Sequence, residues 1–200
     1  MKVDIADIRK NIRRQNRGFK PVDGIESRID KTFQASNNDY DCSSTREPCM
    51  QKGHLIADNY ARGSAEYAKL TYFYINSVPQ HKYFNHPAWF TQGEQQLMVW
   101  AEANCDSNLY IVVGTIPSNI YYGREGTSNR QDDQVYRINV PKYMWTAACC
   151  EKNQRDISFA FYGENINDKN NILETDSGEV KTFLSGYGIT VFPGRSGCIV

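Results

Sequence analysis

The sequence predicts a single α+β domain in which mostly antiparallel strands, joined by long loops, carry a few flanking helices. Three observations lead there. Short β-branched and aromatic segments alternate with turn formers, one central stretch has helical apolar spacing, and two polar excursions interrupt the strand pattern. Two hundred residues, 40% hydrophobic and 23% charged, suffice for a sizeable core, because at this length folding buries about 70% of the extended chain's surface. No composition break marks a linker, so residues 1–200 are one domain.

Ile5, Ile8 and Ile12 recur at helical spacing, with Gly18 as a stop, and predict a basic amphipathic helix within residues 1–20. Turn formers around Ile29 to Phe33 predict an early strand within an irregular stretch covering 19–50. Residues 70–78, LTYFYINSV, have the composition of a strand. A helix is expected from Pro87 to Asn104, with Pro in its permitted first turn and Trp89, Leu97, Trp100 and Ala101 among its apolar positions. LYIVVGTI, residues 109–116, is a buried strand by its continuous apolar run. Residues 117–133 are polar and predict a surface loop; strands resume at 134–140 and 157–162; 165–178 form a second polar excursion, and SGYGITVFPGRSG reads as strand and turn.

Basic and acidic side chains number 23 each, which excludes a protein held on nucleic acid mainly by bulk charge. The charge is uneven, however. Lys2, Arg9, Lys10, Arg13, Arg14, Arg17 and Lys20 exceed Asp4 and Asp7 by five in the first twenty residues. No apolar run approaches the roughly 18 residues of a membrane span, and the start, MKVDIADIRK, lacks the apolar centre of a secretory signal, so an exported chain would already have lost it.

Six cysteines show no zinc-ligand spacing. The vicinal pair Cys149 and Cys150 seldom closes on itself without strain, so if oxidised it sends bridges in two directions, to Cys105 and Cys198, leaving Cys42 with Cys49. That implies an oxidising compartment and hence secretion. The alternative is six free thiols in a reducing one.

Three histidines can exchange protons near neutrality. His81 and His86 lie in a polar turn and suggest surface positions, whereas His54 lies between Gly53 and a short apolar run. About thirty residues on, a strand, a loop and a helix follow, with Asn85 just before the helix. A carboxamide oxygen suits a hard, water-rich ion such as Mg²⁺. A base and an ion on opposite sides of one phosphodiester is the layout for hydrolysis by activated water. Phosphate-binding glycine loops and nucleophile-elbow motifs are absent from the sequence.

These segments resemble the DNA/RNA non-specific endonucleases of the ββα-metal (His-Me finger) fold. The family fingerprint of Asp-Arg-Gly-His-Leu, then Asn-x-x-Pro-Gln, Phe-Asn, Trp and a helical Glu is represented by Gln51-Lys52-Gly53-His54-Leu55, Asn76-Ser77-Val78-Pro79-Gln80, Phe84-Asn85, Trp89 and Glu94. FQASNNDY resembles the segment preceding the histidine motif, and VPKYMWTAACC resembles the Trp-x-x-x-Cys-Cys segment of the animal branch called endonuclease domain-containing protein 1-like. The resemblance runs from about Arg28 to Cys150, residues 28–150.

The resemblance implies that His54 is the general base, Asn85 the direct ligand of one Mg²⁺ (with Mn²⁺ as a possible substitute), and Glu94 a carboxylate for the metal-bound waters. Asn76 would be a supporting hydrogen-bond donor, Lys52 would lie against the phosphate, and Arg28 would be a second cation on the transition state. The substrates would be DNA and RNA without sequence preference, and the products would end in 5′-phosphate and 3′-hydroxyl. Three departures bear on rate. Gln51 replaces the usual Asp; Lys52 replaces Arg and loses its bidentate fork; and Glu94 falls nine residues after Asn85, where the family places it eight after, at Gly93 here. One residue is a rotation of about 100° on a regular helix, so Glu94 needs a bulge to reach the site. The rival expectation is a nucleic-acid-binding or extracellular interaction protein that keeps the fold with weakened catalysis.

Overall fold

The computed structural model describes residues 1–8, 35, 40, 50–61, 63–122, 138–195, 197 and 198. The elements in chain order are β1 (Lys2–Asp4), α1 (Ile5–Ile8), β2 (Gln51–His54), a 3-10 turn at Asp58–Ala61, α2 (Ala65–Leu70), a second 3-10 turn at Tyr74–Asn76 and β3 (Ser77–Gln80). A widened helical segment, Phe84–Glu94, then runs into α3 (Gln95–Asn104), and β4 (Asn108–Tyr122), β5 (Ile138–Lys152), β6 (Arg155–Glu164) and α4 (Ser177–Gly186) complete the fold.

A four-stranded antiparallel sheet in the order β1-β4-β5-β6 forms the centre, and β2 and β3 make a separate antiparallel pair. Strand alternation explains the two layers that cover the sheet. Met144, Ala148 and Cys150 of β5 join one apolar cluster with Phe84, Trp89, Leu97, Leu109, Ile111 and Phe161. Trp145 and Ala147 face the other way and pack with Val180, Leu184 and Val191, from α4 and the segment after it. With apolar partners on both faces, β5 has a nearly continuous buried run in place of an alternating one.

The same alternation separates the vicinal cysteines. Cys150 bridges to Cys105 at the end of α3, and Cys149 bridges to Cys198, with Cα atoms 5.6 Å apart in each pair. The two-directional expectation holds; Cys42 and Cys49 lie outside the described residues.

Several expected elements differ. Lys2–Asp4 is a strand on the edge of β4, and only Ile5–Ile8 of the expected N-terminal helix is described. LTYFYINSV is not a continuous strand: Leu70 ends α2, a turn with an isolated bridge residue at Phe73 and a 3-10 turn follow, and strand β3 starts at Ser77. Its buried side chains, Tyr72 and Tyr74 among them, are core contacts of a turn, a role that strand propensity cannot distinguish from pleated packing. β4 continues to Tyr122 across register shifts around Pro117, into the expected loop. The segment from Ser177 is helical, with the Asp176 carboxylate capping the N–H groups of Gly178 and Glu179; no strand forms over SGYGITVF. The strand around Ile29–Phe33 lies outside the described residues.

Candidate active site

The site is built on β2 and β3, which pair Gln51 with Gln80, Lys52 with Pro79, Gly53 with Val78 and His54 with Ser77. Gly53 has no side chain because the fully buried Gln80 occupies that space; any Cβ there would overlap the Gln80 amide. Gln80 Nε2 in turn lies 2.7 Å from Met144 Sδ on β5. Asn165, just after β6, completes the attachment. Its amide donates to the carbonyls of Pro79 (3.0 Å) and Pro141 (3.1 Å), and its oxygen accepts from the His81 N–H. The small strand pair is thereby hydrogen-bonded to the central sheet.

His54 ends β2 and is half-buried. The edge of its ring meets Tyr72, with centroids 4.8 Å apart and planes at 85°. The Tyr72 hydroxyl donates to Asp58 Oδ2 at 3.0 Å, so the wall against the imidazole is itself anchored. The backbone leaving His54 is held by Asn76. Leu55 N–H donates to the Asn76 carbonyl, Ile56 N–H donates to Asn76 Oδ1, and Asn76 Nδ2 donates to the carbonyls of Ile56 and Thr71. Both amide hydrogens are therefore committed to backbone. The resemblance gave Asn76 as a supporting hydrogen-bond donor, and here its bonds go to the backbone that follows His54 and to Thr71.

Asn85 stands at the entry to the helix, its N–H donating to the His81 carbonyl. Its Nδ2 donates to Gln51 Oε1 at 2.7 Å, and among the described residues no hydrogen bond reaches its Oδ1. The residue that replaces the family aspartate thus still supplies an acceptor, and it links the candidate ligand to the strand that carries His54. Three residues of extended chain, about 10 Å, separate Gln51 from His54. Lys52 lies between them, half-buried and two positions from His54, so strand alternation puts both on one face.

The helix that follows is widened. Gln95 N–H donates to the Phe90 carbonyl, five residues back. A widened turn of the kind expected therefore lies directly before Glu94. Gly93 turns inward against the Phe161 ring, where a Cβ would collide, and Glu94 is left 8% exposed. The Glu94 carboxylate acts on Tyr60, whose phenol is fully buried and held well above its usual pKa, first by burial and then by this negative charge. Phe84 and Trp89, both buried, pack with Phe161 to seat the helix on the sheet.

The other histidines divide. His86 is exposed and stacks on Phe90; His81 is half-buried, with Nδ1 enclosed and its pKa lowered by that burial, not a surface residue. Arg28 lies outside the described residues. Sequence reasoning missed Tyr72 and Asp58 beside His54 and Tyr60 beside Glu94, because three such positions among common residue types follow no motif. Among the described residues the one cluster with metal-ligand spacing, Cys149, Asp156 and Cys198, is a disulfide beside a carboxylate paired to Arg195, not an ion site.

An antiparallel strand pair ending in histidine, followed by a helix whose entry carries a carboxamide, is the arrangement of a ββα-metal nuclease. The model of the DNA/RNA non-specific endonuclease family matches residues 2–192, and the chain belongs to that family. Its fold is similar to EndoG as solved in the EndoG/EndoGI complex, with a TM-score of 0.67 at 18% identity over 96% of this chain and 76% of that one. No curated protein matches the sequence.

Proposed function

We propose that the chain is a secreted, Mg²⁺-dependent endonuclease that hydrolyses the backbone of DNA and RNA without reading bases. The single observation that carries this reading is the Gln51 to Asn85 hydrogen bond. It occupies the nitrogen of the Asn85 amide and leaves the oxygen, a neutral hard donor of the kind that Mg²⁺ takes alongside its waters. The family is one of metal-dependent nucleases; the Asn85 oxygen, which accepts no hydrogen bond among the described residues, suits such an ion, and Glu94 is proposed as the carboxylate for its waters. When bound, Mg²⁺ would offset charge on the phosphate and on the departing 3′ oxygen.

The chain's own residues supply the rest. His54, wedged against Tyr72, takes the proton of the attacking water. Lys52 meets a phosphate oxygen through one ammonium, giving charge without the two-pronged geometry of arginine. Arg28 is a further cation for the same phosphate. Attack opposite the 3′ oxygen leaves 5′-phosphate and 3′-hydroxyl ends. The two disulfides favour an oxidising compartment and thus secretion.

Plasmid incubated with the protein and Mg²⁺ should be nicked and then degraded, and should survive with EDTA or with His54→Ala protein. Plasmid left intact under every Mg²⁺ and Mn²⁺ condition, but still bound in a salt-dependent way, would instead select a binding protein weakened by Gln51 and Lys52.

A further inference from the structure

Two carboxamides face one another at the start of the site, and their chemistry is ambiguous in a way that a carboxylate's is not. Each can donate or accept. As the structure has them, Asn85 Nδ2 donates to Gln51 Oε1 at 2.7 Å. If both amides turned over, Gln51 would donate to Asn85 Oδ1, and the Asn85 nitrogen, which binds no cation, would take the place of its oxygen. An ionised carboxylate at position 51 can only accept and would permit the first arrangement alone.

Resting on the metal role of Asn85 proposed above, we infer that Gln51 is the positioning residue of that ligand and that its neutral amide tunes the site toward weak metal binding. Its oxygen, by accepting from Asn85 Nδ2, favours the orientation of Asn85 that presents Oδ1. Its lack of charge withholds both the electrostatic attraction of a nearby carboxylate and the enforcement of that orientation. Gln51 does this from β2, the strand that also ends in His54, so the residue that positions the metal ligand and the proposed base share one strand.

The test measures Mn²⁺ binding directly, by electron paramagnetic resonance of the free ion, on intact wild-type, Gln51→Met, Gln51→Glu and Asn85→Ala proteins whose folding is checked by circular dichroism. Gln51→Met, equal in length but without an acceptor, should weaken binding about tenfold. Gln51→Glu should tighten it about tenfold, through charge and enforced orientation. Asn85→Ala should lose the site. If Asn85→Ala loses Mn²⁺ while Gln51→Met binds like wild type, or Gln51→Glu binds no tighter, the positioning role is overturned and the functional reading stands. If Asn85→Ala binds Mn²⁺ like wild type, the functional reading itself falls. Should Gln51→Met fail to fold, the Gln51→Glu arm decides alone.

Discussion

The side chain of Asn76 encloses the peptide of Ile56, accepting its N–H at 2.9 Å and donating to its carbonyl at 2.9 Å. Ile56 is two residues beyond His54, so a residue 22 positions away in sequence controls how the base's strand ends.

Asn76→Ala therefore removes three side-chain hydrogen bonds, including that to Thr71. The expected cost is about 2–4 kcal/mol, measured by urea denaturation. Because all three bonds go to backbone, nuclease activity should fall chiefly in kcat, with KM for DNA changing less. A variant with wild-type stability and lost substrate affinity would instead assign Asn76 a direct contact with substrate.

His54→Ala should lower the cleavage rate by about 10²–10⁴-fold with little change in DNA binding. Tyr72→Phe keeps the ring against the imidazole and loses the hydroxyl bond to Asp58. It should cost about 1 kcal/mol and retain most activity, whereas Tyr72→Ala should lose activity by releasing the imidazole. Single-turnover cleavage of labelled DNA distinguishes the three.

Gly93→Ala places a methyl group into the Phe161 ring. Overpacking of this kind costs about 1–3 kcal/mol. Because the displaced turn is the one that sets Glu94, cleavage should fall more than stability alone explains; a thermal melt together with an activity assay below the melting range separates the two effects.

His81 makes stability depend on pH. Burial lowers its folded pKa below the ordinary 6.5, so above 6.5 it is neutral in both states and costs nothing. As pH falls through 6.5 toward the lowered folded value, the unfolded chain takes up a proton that the folded one resists, and stability declines. Melting temperature should drop between about pH 7 and pH 5, and His81→Gln should reduce that drop. An unchanged slope in the variant would assign the pH dependence to other groups.

The order of motifs from Gln51 to Glu94 was legible through the family resemblance, because that resemblance rests on residue types in a fixed order: glycine before the histidine, a carboxamide at the helix entry, a carboxylate nine residues later. The disulfide layout was legible for a different reason. Adjacent positions on a strand point to opposite faces, so a vicinal pair has to reach two partners. LTYFYINSV misled because Tyr72 and Tyr74 are apolar for the sake of burial in a turn, and one of them also walls the histidine. Composition records that a residue is buried without recording which backbone carries it. α4 was hidden similarly: its glycines and aromatics suit strand and turn, but Asp176 supplies a cap and Val180 and Leu184, four apart, supply the helical stripe. The amide pairing of Gln51 with Asn85 crosses 34 positions, a contact that only the fold reveals.

The two bridges also interlock in sequence, Cys105 to Cys150 and Cys149 to Cys198. A protease cutting any single peptide bond between Cys105 and Cys198 always leaves one bridge spanning the cut, even when it parts Cys149 from Cys150. Singly nicked protein would migrate as one intact molecule until a reductant was added, so almost half the chain tolerates a backbone break without releasing a fragment.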